Sequence, residues 1–156
     1  MKKLTLLIPL LLTLTFIDPA MAQDESIGKT HYNVDETGLA MKGYDPVSYF
    51  SGNPVKGRKD IVTMHKGVRY RFSTKYNKEK FLSAPDKYSP AYGGWCAFAM
   101  GDSGDKVEVN ILTYKIKNDR LFLFYNKFFN NTLSDWNENE KTLMQQADGN
   151  WKEIIK

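Results

Sequence analysis

Ile61-Val62-Thr63-Met64-His65-Lys66-Gly67-Val68-Arg69-Tyr70-Arg71-Phe72 is the stretch on which the fold turns. Two runs rich in β-branched and aromatic side chains flank Lys66-Gly67, a dipeptide suited to a tight hairpin turn. Side chains alternate between the two faces of a strand, so the turn sets the register. His65 falls opposite Val68, Thr63 opposite Tyr70 and Ile61 opposite Phe72, and these six share an apolar face. Val62 and Met64 share the other face with Arg69 and Arg71. His65 is thereby directed toward the core. The two arginines, with Lys66, face outward, as a solvated surface or as a landing place for an anionic partner.

A second ribbon follows the same logic. Asn118-Asp119 tolerates positive φ and places Ile116, Tyr114 and Leu112 opposite Leu121, Leu123 and Tyr125. Around the ribbons the pattern turns helical. Asp45 can cap a short helix with Pro46 in its first turn, Val47, Tyr49 and Phe50 as apolar contacts and Ser51-Gly52 as its end. Ser73 is placed to cap a helix over 74–82 that offers Tyr76 and Phe81 to the core and stops at Pro85. Residues 23–36 are polar and aperiodic, and 101–106 read as a loop. Leu143, Ala147, Trp151 and Ile154 mark one apolar stripe on a terminal helix. The expectation is an α+β fold: two antiparallel β-hairpins packed with short helices and a C-terminal amphipathic helix.

The 156 residues, 42% apolar and 26% charged, suit one globular domain and exclude collagen-like or acidic disordered classes. A single cysteine, Cys96, excludes an internal disulfide framework. The net charge of +4 is not concentrated in any basic run, so nucleic acid is not an expected partner. Lys2 and Lys3 precede an apolar run from Leu4 to Ile17, shorter than the roughly 20 residues a bilayer span needs. Ala20-Met21-Ala22 supplies a cleavage site. The organisation expected is a cleaved signal peptide over 1–22, a flexible lead-in over 23–37 and a single domain over 38–156. The product is periplasmic or secreted, with no stable membrane insertion after signal cleavage.

Gly38-Leu39-Ala40-Met41-Lys42-Gly43-Tyr44-Asp45-Pro46-Val47-Ser48-Tyr49-Phe50 resembles the opening of exported bacterial proteins that carry a YHS domain. His65 to Phe72, with Phe81, Pro85, Tyr88 and Pro90, is similar to the core of that domain. Tyr92-Gly93-Gly94-Trp95-Cys96-Ala97 is similar to its closing segment. The resemblance extends to Leu121–Asn126 and to Ala147–Trp151. It implies a binding module. Members found beside metal-transport ATPases carry cysteines just after the Tyr-x-Phe strand and four residues later, where this chain has Ser73 and Asn77. Their metal site is therefore not carried over, and only residues present here can be argued.

Those residues support three readings. Cys96, His65 and Asp45 are candidate ligands for copper, zinc or nickel, and the thioether of Met41 or Met100 would favour Cu(I). Tyr44, Tyr70, Tyr92, Trp95 and Met100 are the candidate wall of a pocket beside them, though aromatic side chains also ordinarily serve a core. Alternatively Cys96 is the nucleophile of a thiol-dependent enzyme, activated by His65. In the third reading Cys96 is an inert buried residue of a non-catalytic interaction protein. An exposed Cys96 would also permit a disulfide-linked dimer. No catalytic set stands out, since serine-triad, phosphate-loop and dinucleotide motifs are missing from the sequence.

Overall fold

The computed structural model describes residues 30–156, so the expected signal peptide over 1–22 and the first part of the expected lead-in lie outside the described residues. The described residues fold as α+β, with three two-stranded antiparallel ribbons, short helices and a longer terminal helix. The first ribbon pairs β1 (Val62–His65) with β2 (Val68–Arg71) in the register the turn dictates, His65 opposite Val68 and Thr63 opposite Tyr70. Lys66 and Gly67 both take positive φ, the condition for a turn that follows the right-handed twist of the strands. Ile61, Val68, Tyr70 and Phe72 are buried, whereas Met64 is exposed.

The second ribbon pairs β3 (Asn110–Lys117) with β4 (Arg120–Phe124) across Asn118-Asp119, both at positive φ. Ile116 faces Leu121 and Tyr114 faces Leu123 as expected. Leu112 does not face Tyr125. The register shifts between Asn110 and Tyr114, where the Leu112 amide turns back to the Asn110 side chain, and Leu112 is left exposed.

β4 is the centre of the molecule. Its free edge is bridged by Pro90 at Leu121 and by Cys96 at Leu123, and both of its faces are covered. Leu121 and Leu123 pack with Tyr49, Val68, Tyr70, Phe72, Phe81 and Cys96. Phe122 and Phe124 pack on the other side with Tyr92, Met100, Trp136, Leu143 and Ala147. The ribbons thus divide two cores rather than capping one.

The helices fill these cores. A 3-10 helix over Pro46–Ser51 is capped by Asp45 and stopped by left-handed Gly52, and it buries Val47 and Tyr49. Helix α1 (Lys75–Ser83) buries Phe81 but leaves Tyr76 in solvent. Its cap is Thr74, which accepts from the Asn77 amide, and not Ser73, whose hydroxyl is engaged elsewhere. After the short α2 (Pro85–Tyr88), residues 97–102, expected in part as loop, form α3 (Ala97–Asp102). Gly101 brings α3 against the terminal helix so closely that a Cβ there would lie 2.6 Å from the Leu143 carbonyl oxygen. Helix α4 (Thr132–Glu138) leads into α5 (Glu140–Ile154), where Leu143 and Ala147 are buried on the expected stripe.

The described part of the lead-in is held to the domain. The Asn33 amide donates to the Gly93 carbonyl, Trp95 Nε1 donates to the His31 carbonyl, and Tyr32 meets Trp151 edge-on at 5.7 Å. The polar spacing of 30–37 concealed this, because the anchoring comes from backbone groups and one ring rather than from an apolar stripe.

Candidate functional site

The three metal-ligand candidates serve three separate tasks. Asp45 is fully buried, and its carboxylate accepts four hydrogen bonds: from the Val47 amide at 2.9 Å, the Ser73 amide at 2.8 Å, the Ser73 hydroxyl at 2.6 Å and Asn77 Nδ2 at 2.7 Å. It ties the 3-10 helix to the end of β2 and to α1, with three of the four bonds on Oδ2. Ser73 and Asn77 therefore hold a carboxylate here.

His65 is half-buried with its ring edge toward Phe81, and its Nε2 lies 3.3 Å from Asp86 Oδ1. Lys66 Nζ shares that oxygen at 2.7 Å, and this bond is the main cause that holds the Asp86 carboxyl below its usual range. Cys96 is buried without a disulfide. Its sulfur accepts from the Tyr125 amide at 3.4 Å and meets the Thr132 hydroxyl at 3.4 Å.

No polar partner is common to Cys96, His65 and Asp45, and among the described residues no three His, Cys, Asp or Glu side chains gather as a metal site. The structure thus does not bring Cys96, His65 and Asp45 together as one ligand set for copper, zinc or nickel among the described residues. Strand pairing sends Cys96 to the β4 edge, and hydrogen bonds to local groups occupy the other two. The sulfur of Cys96 meets the Tyr125 amide and the Thr132 hydroxyl, and His65 meets Asp86, so no hydrogen bond joins the thiol to the imidazole. A Cys96-linked dimer loses its exposed sulfur.

The aromatic wall does not form either. Tyr44 and Tyr70 belong to the first core, and Tyr92, Trp95 and Met100 to the second, on the opposite side of β4. Cys96 and Met100, four residues apart, likewise enter different cores.

A cleft lies elsewhere, beside Arg71 at the end of β2. It encloses about 620 Å³ between the 33–42 segment, β2 and the start of β3. Leu39, Met41, Val109, Ile111 and Leu123 supply apolar lining, and Lys42, Lys59 and Arg71 supply positive charge. Asp35 and Glu108 are the carboxylates present. Asp35 is committed locally: its Oδ1 accepts from the Thr37 amide, the Thr37 hydroxyl and the Leu39 amide at 2.7–3.0 Å. The Thr37 hydroxyl is the leading cause that lowers its carboxyl below the ordinary 3.8.

Arg71 is placed with unusual care. The Gly57 backbone passes so close to it that a Cβ on Gly57 would lie 2.5 Å from the Arg71 Cβ. Gly43 lies against its side chain, where a Cβ would be 3.3 Å from Nη1. Gly43 is the last of three successive left-handed residues, after Met41 at φ 54° and Lys42 at φ 51°, a conformation that costs side-chain-bearing residues energy and persists only when the surroundings impose it. The Gly57 amide donates to the Gly43 carbonyl at 2.8 Å and closes the frame.

Arg71 nevertheless has no ion pair within 4 Å and no hydrogen-bonded acceptor among the described residues, its Nε is buried without a partner, and its one charged interaction in the cleft is a longer-range attraction to the Asp35 carboxylate. A guanidinium with five donors is ordinarily satisfied when it is buried. Sequence alternation put Arg71 on the outward face and named an anionic partner for that face, but it missed Lys42, Lys59 and the glycine frame. Lys66, grouped there with Arg71, is instead paired with Asp86.

Comparison with protein-family models, with curated proteins and with solved structures finds no match to this chain.

Proposed function

We propose that the protein is an exported, YHS-like binding module whose cleft takes an amphipathic small molecule with an anionic head. Arg71, aided by Lys42 and Lys59, receives the head, and Leu39, Met41, Val109, Ile111 and Leu123 take the apolar body. The observation that carries this reading is the Arg71 guanidinium, framed by Gly43 and Gly57 and left without a protein acceptor. The volume of about 620 Å³ falls within the range that small-molecule sites occupy. An anion in the cleft would give the half-buried Arg71 guanidinium the acceptor that the protein does not, and hydrogen bonds to charged groups are the stronger ones. The export part of the reading rests on the N-terminal segment, and the YHS part on the sequence resemblance.

Calorimetric titration with decanoate, decyl phosphate and decanol tests it. The two anions bind saturably and decanol binds at least about tenfold more weakly, since one charged hydrogen bond is worth about 1.5–3 kcal/mol. Equal binding of decanol and decanoate, or no loss of decanoate affinity in Arg71→Gln, overturns the proposal.

A further inference from the structure

After β4, β5 (Asn126–Lys127) pairs with β6 (Asn130–Asn131), and Phe128-Phe129 form the turn between them. Both rings stand in solvent, at 94% and 107% of full exposure. The other phenylalanines among the described residues are all buried or half-buried. Phe128 holds φ 55°, a region that bulky side chains rarely adopt and that Asn or Gly would occupy at lower cost. Two large apolar side chains thus sit at the one place where turn chemistry and solvent exposure both disfavour them.

The tip is fastened to the body at its root. Asn126 Nδ2 donates to the Thr113 hydroxyl at 3.0 Å, beside the β3 irregularity that leaves Leu112 55% exposed. The charge of the tip is of one sign: Lys127 adjoins the rings, and residues 125–134 contain no Asp or Glu.

We infer that this tip is a peripheral anchor that enters the surface of a bilayer containing anionic lipid, with Phe128 and Phe129 at the headgroup–acyl boundary and Lys127 among the headgroups. The shape favours lipid over protein. Two Phe rings offer roughly 300–500 Å², short of the roughly 800 Å² that each partner contributes to a stable protein interface. A convex wedge also needs a matching pocket in a protein, whereas a bilayer accepts it without one. Charge completes the match, because basic groups beside an apolar insertion favour anionic leaflets. Such an anchor is reversible and distinct from a membrane span. No helix among the described residues is long and apolar enough to cross a bilayer.

The test is flotation of protein purified after export and processing, with vesicles of phosphatidylglycerol and phosphatidylethanolamine or of phosphatidylcholine alone. Phe128→Asn/Phe129→Asn keeps a turn-compatible sequence, and its circular dichroism and unfolding midpoint report that the fold persists. The native chain partitions to the anionic vesicles at least about tenfold more than this variant, and Lys127→Gln reduces the preference for anionic over neutral lipid. In Phe128→Trp the indole emission shifts to the blue on adding anionic vesicles. Equal partitioning of the native chain and the double variant overturns the inference. So does a concentration-dependent dimer that the double variant abolishes, which would assign the tip to a second copy.

Discussion

Replacing Asp45 by Ala removes an acceptor from four donors at once, and the structure allows the cost to be worked out. The Val47 and Ser73 amides, the Ser73 hydroxyl and Asn77 Nδ2 all converge on this fully buried carboxylate. A hydrogen bond to a charged group contributes about 1.5–3 kcal/mol, but four bonds to one side chain do not add. The hydroxyl and the amide of Asn77 can turn toward water, whereas the two backbone amides stay where the 3-10 helix and the end of β2 put them. Two stranded amides at about 1–3 kcal/mol each give a loss of about 2–6 kcal/mol, a large share of the 5–15 kcal/mol of an ordinary domain. Urea unfolding followed by tryptophan fluorescence reads this as a fall in midpoint of about 2 M at a typical slope. A double-mutant cycle with Asn77→Ala should return a coupling of about 1 kcal/mol or more. A midpoint shift below about 0.5 M, or no coupling, would refute the assignment of Asp45 as the tie between the helix and the ribbon.

Other outcomes follow from the same packing. Gly101→Ala drives a methyl toward the Leu143 carbonyl oxygen and should cost about 1–3 kcal/mol in unfolding free energy, although alanine is the better helix former. Cys96 should react with a thiol reagent at least about 100-fold more slowly in the folded chain than in urea, because its sulfur is enclosed. Glu140 accepts from Lys115 Nζ at 2.6 Å, which is the chief cause that lowers its carboxyl below the ordinary 4.5, and also from Trp136 Nε1 at 3.1 Å. A group depressed on folding stabilises the protein above its unfolded pKa, and that stability is lost as pH falls through the folded value. Glu140→Gln should therefore lower the urea midpoint at pH 7 and lose most of that effect near pH 3.

The ribbons were legible because alternation with a period of two, combined with a turn that demands positive φ, fixes both register and face. Val68, Tyr70 and Phe72 could be assigned to the core on that basis alone. β4 was only half legible. Leu121-Phe122-Leu123-Phe124 is an unbroken apolar run, the pattern of a strand covered on both sides. Alternation assigned only Leu121 and Leu123 to a core, and Phe122 and Phe124 proved to organise the second. Leu112 was misplaced because an irregularity in β3 leaves no composition signal. At the start of α1, Ser73 and Thr74 are chemically alike. The choice between them depends on Asp45, 28 residues earlier in the chain, capturing the Ser73 hydroxyl.

The candidate site was less legible than the fold. Cys96, His65 and Asp45 were grouped by the ligand chemistry of their side chains, which says nothing of where the chain carries them. Each is satisfied by its immediate surroundings. The cleft draws on 33–42, Lys59, Arg71 and Val109–Ile111, segments with no shared motif. Its one sequence signal was the outward face of Arg71. What makes that residue notable, a half-buried guanidinium whose Nε is enclosed without an acceptor, exists only once Gly43 and Gly57 have closed around it.

Amide chemical-shift mapping during titration of the isotopically labelled protein with decanoate tests the central claim most directly. The predicted result is saturable shifts centred on Leu39–Gly43, Arg71 and Val109–Ile111, abolished in Arg71→Gln while the remaining spectrum is retained. Shifts centred instead on Lys117, Glu140 and Met144, or an unchanged response in Arg71→Gln, would contradict it.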